Sequence, residues 1–357
     1  MLSDPSKIFS MMVNKQISYL HIVPGSPIAI RQKNIFVPID ANVLAPDQIK
    51  NFINMLLSDK QKAVLENEKE IEFSHSIPGV SRFRINIITQ RGSYAVIIYM
   101  NPLRVPTVDE LGLPPLIKDL VLKLQSGLIV ITGFQGSDKS YSLAALVSHI
   151  LENRHCQIIT LEEPIEFLHK NKKGLICQRE IGTDFISYEK AFAALGRLSG
   201  DVFVFNKVTN YETAKMVIDL SAGGSLVLVT VSAPSIYVFL EEFVNFYPQH
   251  LHEQAKMLLS VSIEAALSQT LCLKSTGDGV VPAFEIMVGT PTIKGLIKDG
   301  KFLQVLNAMG TSGRDAGMQT QEQALRALVK KNIITAQEAE SKAIRPEEFK
   351  KLMALPY

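Results

Sequence analysis

Two patterns of hydrophobic positions divide the chain. In the first hundred residues, apolar and polar positions alternate over short runs, which is typical of half-buried strands. Two other stretches have the three-to-four residue spacing of helices, at 5–15 and 46–65. The pattern therefore predicts a small N-terminal α/β domain with strands at 19–22, 35–37, 71–75, 82–89 and 94–100.

From Gly127 onward the pattern changes to continuous apolar runs separated by helical segments. Such alternation predicts a mostly parallel sheet covered by helices on both faces. The predicted strands are 128–132, 157–161, 202–205 and 226–231. The tail after Gly317 is helical in pattern, and Thr335 to Glu338 form a helix-start signal.

Domain boundaries follow from the same patterns. Residues 1–100 form the predicted N-terminal domain, 101–112 a linker containing Pro102 and Pro106, and 113–357 the C-terminal domain. Within the linker, Thr107 and Glu110 have the spacing of a capping box, which predicts that a helix begins there.

Composition narrows the class of protein. The 357 residues are 46% hydrophobic and carry a net charge of +2, so bulk basicity does not indicate nucleic-acid binding. Three widely spaced cysteines favour a reducing compartment over a disulfide framework or a zinc site. The long uncharged stretch 220–240 contains glycines, a proline and a β-branched run, which predicts a buried strand rather than a membrane span.

The most informative motif follows the strand predicted at 128–132. Gly133 to Ser140 reads GFQGSDKS, which has the layout of a phosphate-binding loop whose last glycine is Asp138. In such loops backbone N–H groups and a helix N-terminus point at the phosphates. A carboxylate about 4 Å from a phosphate costs roughly 4 kcal/mol, or about a thousandfold in affinity, unless it turns away. The sequence therefore predicts a nucleotide site that binds ATP poorly.

Several motifs, in this order, resemble the type IV pilus retraction ATPases, the PilT/PilU-like branch of the GspE-type secretion ATPases. The resemblance spans nearly the whole chain. The matching segments are 79–86 (GVSRFRIN), 160–167 (TLEEPIEF), 178–180 (QRE), 267–271 (LSQTL), 285–291 (EIMVGTP) and 317–320 (GMQT).

The resemblance implies a fold, a cofactor and an assembly. It implies an N-terminal PAS-like domain, a C-terminal RecA-like ATPase domain, and hexameric rings that bind ATP with Mg²⁺ between subunits. The arginines expected to approach the nucleotide are Arg82, Arg84 and Arg91, with structural ion pairs on a strand surface as the alternative. The nucleotide-binding positions are Gly133, Phe134, Gln135, Gly136, Ser137, Asp138, Lys139, Ser140 and Tyr141.

The departures from the family pattern concentrate on chemistry. The Walker B glutamate position is Lys207, where a cation would repel the metal and could not act as a general base. The family's next arginine falls on Thr209, and its two histidines fall on Ser225 and Ser232. The threonine after the loop serine falls on the bulkier Tyr141. No metal-binding residues are predicted.

The acidic segment at 162–166 instead favours a site that keeps a catalytic acid. Glu162, Glu163 and Glu166 are carboxylates, so an acid near the γ-phosphate position can survive. Alternatively, Glu163 and Glu166 form structural ion pairs, with Arg179 or Arg197 as candidate partners.

Asp138 and Lys207 suggest a compensating pair. If the end of the Walker B strand lies beside the phosphate loop, these opposite charges face each other where metal and phosphate would dock. The alternative is that Asp138 turns to solvent and Lys207 to a neighbouring carboxylate.

Two functions are compatible with the sequence. The first is a catalytically impaired motor subunit with a structural or regulatory role; the second is an active or slow ATPase with an unusual site, using Glu163 or Glu166 as base. Implied partners are identical or paralogous subunits in a hexamer and the inner-membrane platform protein of a pilus, with no nucleic acid. The segment 292–299 resembles the family's subunit-contact helix but has lysines in place of arginines. The predicted location is cytoplasmic, peripheral at the inner membrane.

Overall fold

The structure is a computed structural model that describes residues 2, 4–32, 35–77, 81–101, 104–195, 197–311 and 316–355, with only the backbone of Gln32 described. It separates into two compact units. One comprises Met1–Val105 with Pro164–Leu168, and the other comprises Pro106–Glu163 with His169–Tyr357. Gly79 and Val80 of the first family motif, and Pro102 of the predicted linker, lie outside the described residues.

In the N-terminal unit, six described strands form an antiparallel sheet in the order β3-β2-β1-β6-β5-β4. Inward-facing side chains such as Leu20, Phe83 and Ile98 are fully buried, and they share one core with three helices. The elements are α1 Pro5–Asn14, β1 Tyr19–Ile22, β2 Ala29–Gln32, β3 Ile35–Pro38, α2 Pro46–Leu56, α3 Asp59–Glu68, β4 Glu70–Ile77, β5 Ser81–Gln90 and β6 Ser93–Met100.

The single helix predicted over 46–65 is wrong, because the chain breaks it at Leu57 and Ser58. Leu57 has an extended backbone at ψ 138°, which ends α2. Ser58 then starts α3: its Oγ accepts from Gln61 N, and its own N–H donates to Gln61 Oε1 at 3.0 Å. This reciprocal cap satisfies N–H groups that a new helix would otherwise leave unpaired.

In the C-terminal unit, the described strands form a sheet in the order β13-β12-β7-β11-β10-β8-β9. All pairings are parallel except that of β13 with β12. The strands are β7 Gly127–Thr132, β8 Gln157–Glu162, β9 Leu175–Glu180, β10 Val202–Phe205, β11 Leu226–Val231, β12 Ile263–Leu273 and β13 Val280–Val288.

Helices flank this sheet and form the tail. They are α4 Pro115–Lys123, α5 Lys139–Asn153, α6 Tyr188–Leu195, α7 Tyr211–Ala222, α8 Ile236–Asn245, α9 His252–Ser262, α10 Pro291–Lys298, α11 Phe302–Thr311, α12 Gln321–Lys330, α13 Ala336–Lys342 and α14 Pro346–Ala354. The predicted α/β class, with a mostly parallel sheet and a helical tail, is confirmed. Thr335 caps α13 as predicted, its Oγ1 accepting from Glu338 N at 3.1 Å.

The helix predicted to begin at Thr107 does not form. Thr107 and Glu110 do exchange both capping-box hydrogen bonds, at 2.8 and 3.2 Å. However, Gly112 takes a left-handed backbone at φ 62°, and Pro114 and Pro115 follow. The segment therefore closes as a turn, and the helix begins at Pro115.

The central strands bury every residue along their length, as in β7, β10 and β11. The stretch 220–240 thus contains the buried strand β11, as predicted. Among the described residues, none of the helices has the length and apolar character needed to span a bilayer. Because β7, β8, β10 and β11 are parallel, the loops that follow them lie along one edge of the sheet, where ligands of such sheets bind.

Candidate nucleotide site

The loop between β7 and α5 retains a glycine framework. Gly133 has φ 148°, and a Cβ built on it would lie 2.5 Å from both Gln269 O and Ser137 Oγ. Gly136 has φ 81° with open space around it. The first glycine is thus required by close packing and the second by its backbone angle, so the chain keeps the turn of a phosphate loop.

Asp138 occupies a glycine-like conformation at the N-terminus of α5. Its φ is 60° and its ψ is 32°, the left-handed region, and its side chain makes no capping hydrogen bond. The residue keeps exposed surface, yet partial desolvation raises the pKa of its carboxyl, which the charge of Lys139 opposes. The helix N-terminus therefore presents a carboxyl group at the place where phosphate loops bind anions.

Lys139 folds back onto the loop. Its Nζ donates to Gly133 O and to Phe134 O, both at 2.8 Å. Desolvation lowers the pKa of this lysine, and the charge of Asp138 opposes that shift. Ser137 Oγ is buried and has no hydrogen-bond partner among the described residues. Lys139, predicted to bind phosphate, thus contacts main-chain carbonyls of the loop.

At the neighbouring strand ends, Lys207 pairs with Glu163. Lys207 Nζ lies 3.3 Å from Glu163 Oε1, and both side chains are nearly half exposed. Asn206 Oδ1 accepts from Glu163 N at 2.8 Å, which fixes the backbone at the pair. Glu163 therefore has Lys207, the residue predicted at the Walker B position, as its counter-ion.

The predicted pair between Asp138 and Lys207 is wrong. No ion pair in the described part of the chain joins them. The sheet order explains this. Strand β11 lies between β7 and β10, so the loops that carry Asp138 and Lys207 start about 10 Å apart. Strand β8, which leads to Glu163, is adjacent to β10. Lys207 turns to a neighbouring carboxylate, as the alternative prediction stated.

Glu162 and Glu166 have different surroundings. Glu162 is buried, and its Oε1 accepts from Thr160 Oγ1 at 2.6 Å and from Gln178 Nε2 at 3.0 Å. Glu166 belongs to the N-terminal unit, where it lies 2.9 Å from Arg84 Nη1. The structure therefore gives Glu163 and Glu166 ion pairs with Lys207 and Arg84, rather than with Arg179 or Arg197.

The candidate arginines lie on or beside β5. Arg84 contacts Glu72 at 3.3 Å and lies over the Tyr99 ring, in addition to its pair with Glu166. Arg82 donates from Nε to Ile165 O and from Nη1 to Ser76 Oγ. Arg91 is exposed in the turn after β5, with φ 46°. Arg82 and Arg84 thus make structural contacts within the N-terminal unit.

The remaining altered positions do not all lie at the site. Ser232 and Thr209 follow β11 and β10 at the carboxyl edge, and both are exposed. Ser225 precedes β11 and its carbonyl accepts from Gly127 N at 3.0 Å, at the amino edge. The sequence-based placement of Ser225 at the catalytic site is therefore wrong, because the strand length separates it from the loop.

Sequence reasoning missed Tyr188 at the start of α6. Its hydroxyl is buried without a hydrogen-bond partner in the described residues. Burial, together with the charges of Glu163 and Glu162, raises the pKa of this tyrosine. No sequence motif marks it, because only the fold brings α6 beside the acidic segment.

The implied cofactors fit unequally. The loop backbone, Lys139 and the orphaned Ser137 hydroxyl fit a phosphate group, although Asp138 opposes its charge. Mg²⁺ does not fit, since Lys207, predicted at the Walker B position, is an ammonium group already paired with Glu163. Within the described ranges, no group of three or more His, Cys, Asp or Glu side chains could hold a metal ion.

Comparisons with known proteins agree with this fold. Residues 70–277 match the family model described as "Type II/IV secretion system protein". The chain is 33% identical to the type IV pilus retraction ATPase PilT of Pseudomonas aeruginosa over 97% of its length and 100% of that relative. It is 30% identical to the type IV pilus ATPase PilU of the same species, over 98% and 91%.

Solved structures give the same result. The crystal structure of the pilus retraction motor PilT with bound ADP superposes with a TM-score of 0.85 at 29% identity, covering 98% of this chain and 99% of that one. The ATPase DotB of Legionella pneumophila has the same fold, with a TM-score of 0.78 at 18% identity over 94% of each chain.

Proposed function

The chain belongs to the PilT/PilU-like branch of the type II/IV secretion system proteins, and from this premise we propose that it is a catalytically impaired subunit of a type IV pilus retraction motor. Its role is structural or regulatory within the motor. The proposed division of the chain into two domains lies within the linker 101–112. The motor acts in the cytoplasm, peripherally at the inner membrane.

The observation that carries this proposal is the ion pair between Lys207 and Glu163. Hydrolysis needs a carboxylate to serve the attacking water, and general base catalysis contributes about 10²–10⁴ in rate. At the Walker B position an ammonium group stands instead, and it lies 3.3 Å from the acid best placed to substitute. Lys207 therefore removes the expected carboxylate and also pairs with Glu163, the acid that could replace it.

The phosphate loop supports weak binding rather than none. ATP phosphates would meet the backbone N–H groups at the start of α5, with Lys139 released from Gly133 O and Phe134 O. Asp138 would oppose them by its charge, unless its carboxyl is protonated or turned away. Binding and hydrolysis are thus separable in this chain.

A second function is an active or slow ATPase that powers retraction. Lys139, Ser140 and Glu163 are present, and the strand, loop and helix retain the required order. In this case Glu163 or Glu166 acts as base. Glu166 would first have to leave Arg84.

The proposed assembly is a hexamer of identical or paralogous subunits acting with the platform protein of the pilus. Helix α10 contains the altered contact motif, and Lys298 on it is exposed. Lys294, in contrast, is paired with Glu264 at 2.7 Å. A lysine pair offers point charges instead of the bidentate contacts that arginines make, so homo-hexamers should be weaker than those of relatives with arginines.

Phosphate release from ATP with Mg²⁺ by the purified chain tests the proposal. We expect no turnover above that of Lys139→Ala, and measurable turnover in the Asp138→Gly/Lys207→Glu double variant. Lys215→Glu is the matched control, since Lys215 is exposed on helix α7 and its ion pair is with Asp219 of the same helix. Turnover in the unaltered chain that Lys139→Ala abolishes would instead establish the second function.

A further inference from the structure

Buried polar side chains connect the phosphate-loop helix with the C-terminal helices through strand β12. Ser142 on α5 donates from Oγ to Gln269 Oε1 at 2.6 Å. Gln321 on α12 donates from Nε2 to Thr270 Oγ1 at 2.8 Å. Each of these four residues is at most 6% exposed. The two bonds therefore lie inside the protein, where lost partners cannot be replaced by water.

Gln269 and Thr270 are consecutive residues of β12, so their side chains point to opposite faces of the sheet. Gln269 shares its face with Leu267, which packs in the same core cluster as Leu143 and Leu146 of α5. The pairing of β12 with β7 ends at Ser268, so Gln269 is the first residue beyond it. One dipeptide thus joins the loop helix on one face to the tail on the other.

Gln269 also touches the phosphate loop directly. A Cβ on Gly133 would lie 2.5 Å from the Gln269 carbonyl oxygen, so the two backbones approach as closely as a glycine permits. A shift of Gln269 toward the loop would collide with it, because neither backbone has room to move past the other. The residue therefore constrains the loop through its backbone and α5 through its side chain.

Helix α12 is also held by hydrogen bonds to the segment before α14. Gln321 Oε1 accepts from Ile344 N at 2.9 Å. Its neighbour Glu322, 1% exposed, accepts from Arg345 N at 3.2 Å and Nη2 at 2.6 Å. Helix α12 is thereby tied both to β12 and to the segment before α14.

We propose that Gln269 is a positioning residue for the phosphate loop, and that helix α12 acts on the loop through Gln269 and Thr270. A movement of the tail must either break a buried bond or displace β12 against Gly133. Binding of a partner to the C-terminal helices would thus alter the conformation of the phosphate loop. This coupling does not depend on whether the site hydrolyses ATP.

Hydrogen exchange of the full-length protein without nucleotide, followed by mass spectrometry, tests the coupling. In Gln269→Leu, Thr270→Val and Gln321→Leu, we expect amides in 133–143 to exchange about fivefold faster, as for the loss of one buried hydrogen bond. Ser148→Ala is the matched control for Ser142→Ala. Ser148 lies farther along the same helix, α5, and its Oγ contacts His169 Nδ1 outside that helix. Of these two serine variants, only Ser142→Ala should accelerate amide exchange in 133–143.

The double variant distinguishes coupling from general destabilisation. In the Gln269→Leu background, Gln321→Leu should cause no further acceleration in 133–143, because coupled residues are not additive. Acceleration confined to the tail, or a fully additive effect, would overturn the proposal. If Gln321→Leu does not fold, Thr270→Val carries the same test, since valine keeps the branched shape and removes the hydroxyl.

Discussion

Lys207 Nζ lies 3.3 Å from Glu163 Oε1, at the ends of adjacent parallel strands β10 and β8. The pair is partly exposed, so its contribution to stability is about 0–1 kcal/mol. In the proposed function its importance is chemical, because the sequence resemblance predicts the family's hydrolytic carboxylate at the position of Lys207.

Restoring the acid should restore a response to metal. Lys207→Glu places a carboxylate near Glu163, and the two acids repel each other unless a cation joins them. We expect millimolar Mg²⁺ to raise the melting temperature of this variant and to leave that of the parent unchanged. Lys215→Glu serves as control; an equal Mg²⁺ response there would show only nonspecific binding.

Charge and shape can be separated at Asp138. Asparagine tolerates φ 60° and keeps a similar volume, whereas glycine removes the side chain altogether. If charge weakens nucleotide binding, Asp138→Asn and Asp138→Gly should both tighten ADP, by up to about a thousandfold. Fluorescence titration with ADP measures this. If only Asp138→Gly tightened ADP binding, the volume of the Asp138 side chain rather than its charge would weaken binding.

The two loop glycines should differ in their tolerance of alanine. Gly133→Ala places a methyl group 2.5 Å from backbone oxygen, and its φ is 148°, so we expect a loss of about 2–4 kcal/mol of unfolding free energy. Gly136→Ala meets no atom within 4 Å, and only its left-handed φ costs energy, about 1–2 kcal/mol. Urea denaturation compares them. Equal losses would contradict the packing of Gly133 against Gln269.

A buried carboxyl on β13 should make stability depend on pH. Burial, with a smaller contribution from Glu322, raises the pKa of Glu285 to about 7, against the opposing effects of the Ile236 N–H and Arg345. Because the folded pKa lies above the unfolded one, the stabilisation is present below about pH 4.5 and is lost as pH rises through 7.

The expected loss from Glu285 is about 3 kcal/mol over that window. The difference between the urea midpoints at pH 5 and pH 8 should therefore be smaller in Glu285→Gln than in the parent. The exposed Glu253→Gln variant is the control. A parent whose pH dependence matches that of Glu285→Gln would contradict a neutral carboxyl at this position.

Local patterns predicted much of the fold. The runs 19–22, 202–205 and 226–231 became β1, β10 and β11 at the predicted bounds, because alternating or continuous apolar residues determine strands locally. The break between α2 and α3 was missed because the polar run 58–62 also suits the exposed face of one long helix, although Ser58 and Gln61 have the sequence spacing of a capping box.

The site was predicted less completely, because it depends on the order of strands in the sheet. The sequence indicated the phosphate loop from its glycines, and it marked Asp138 and Lys207 as departures from the family pattern. It could not show that β11 separates β7 from β10, and this order assigns Lys207 to Glu163 rather than to Asp138. The role of Gln269 was likewise hidden, since Ser142 is 127 positions away in the chain.

Titration calorimetry with ATP, with and without Mg²⁺, tests most directly whether electrostatics at this site have been reversed. We expect weak binding whose affinity does not increase when Mg²⁺ is added, since Lys207 and Glu163 neutralise each other where the metal would dock. Tight binding that requires Mg²⁺ would contradict this account of the site.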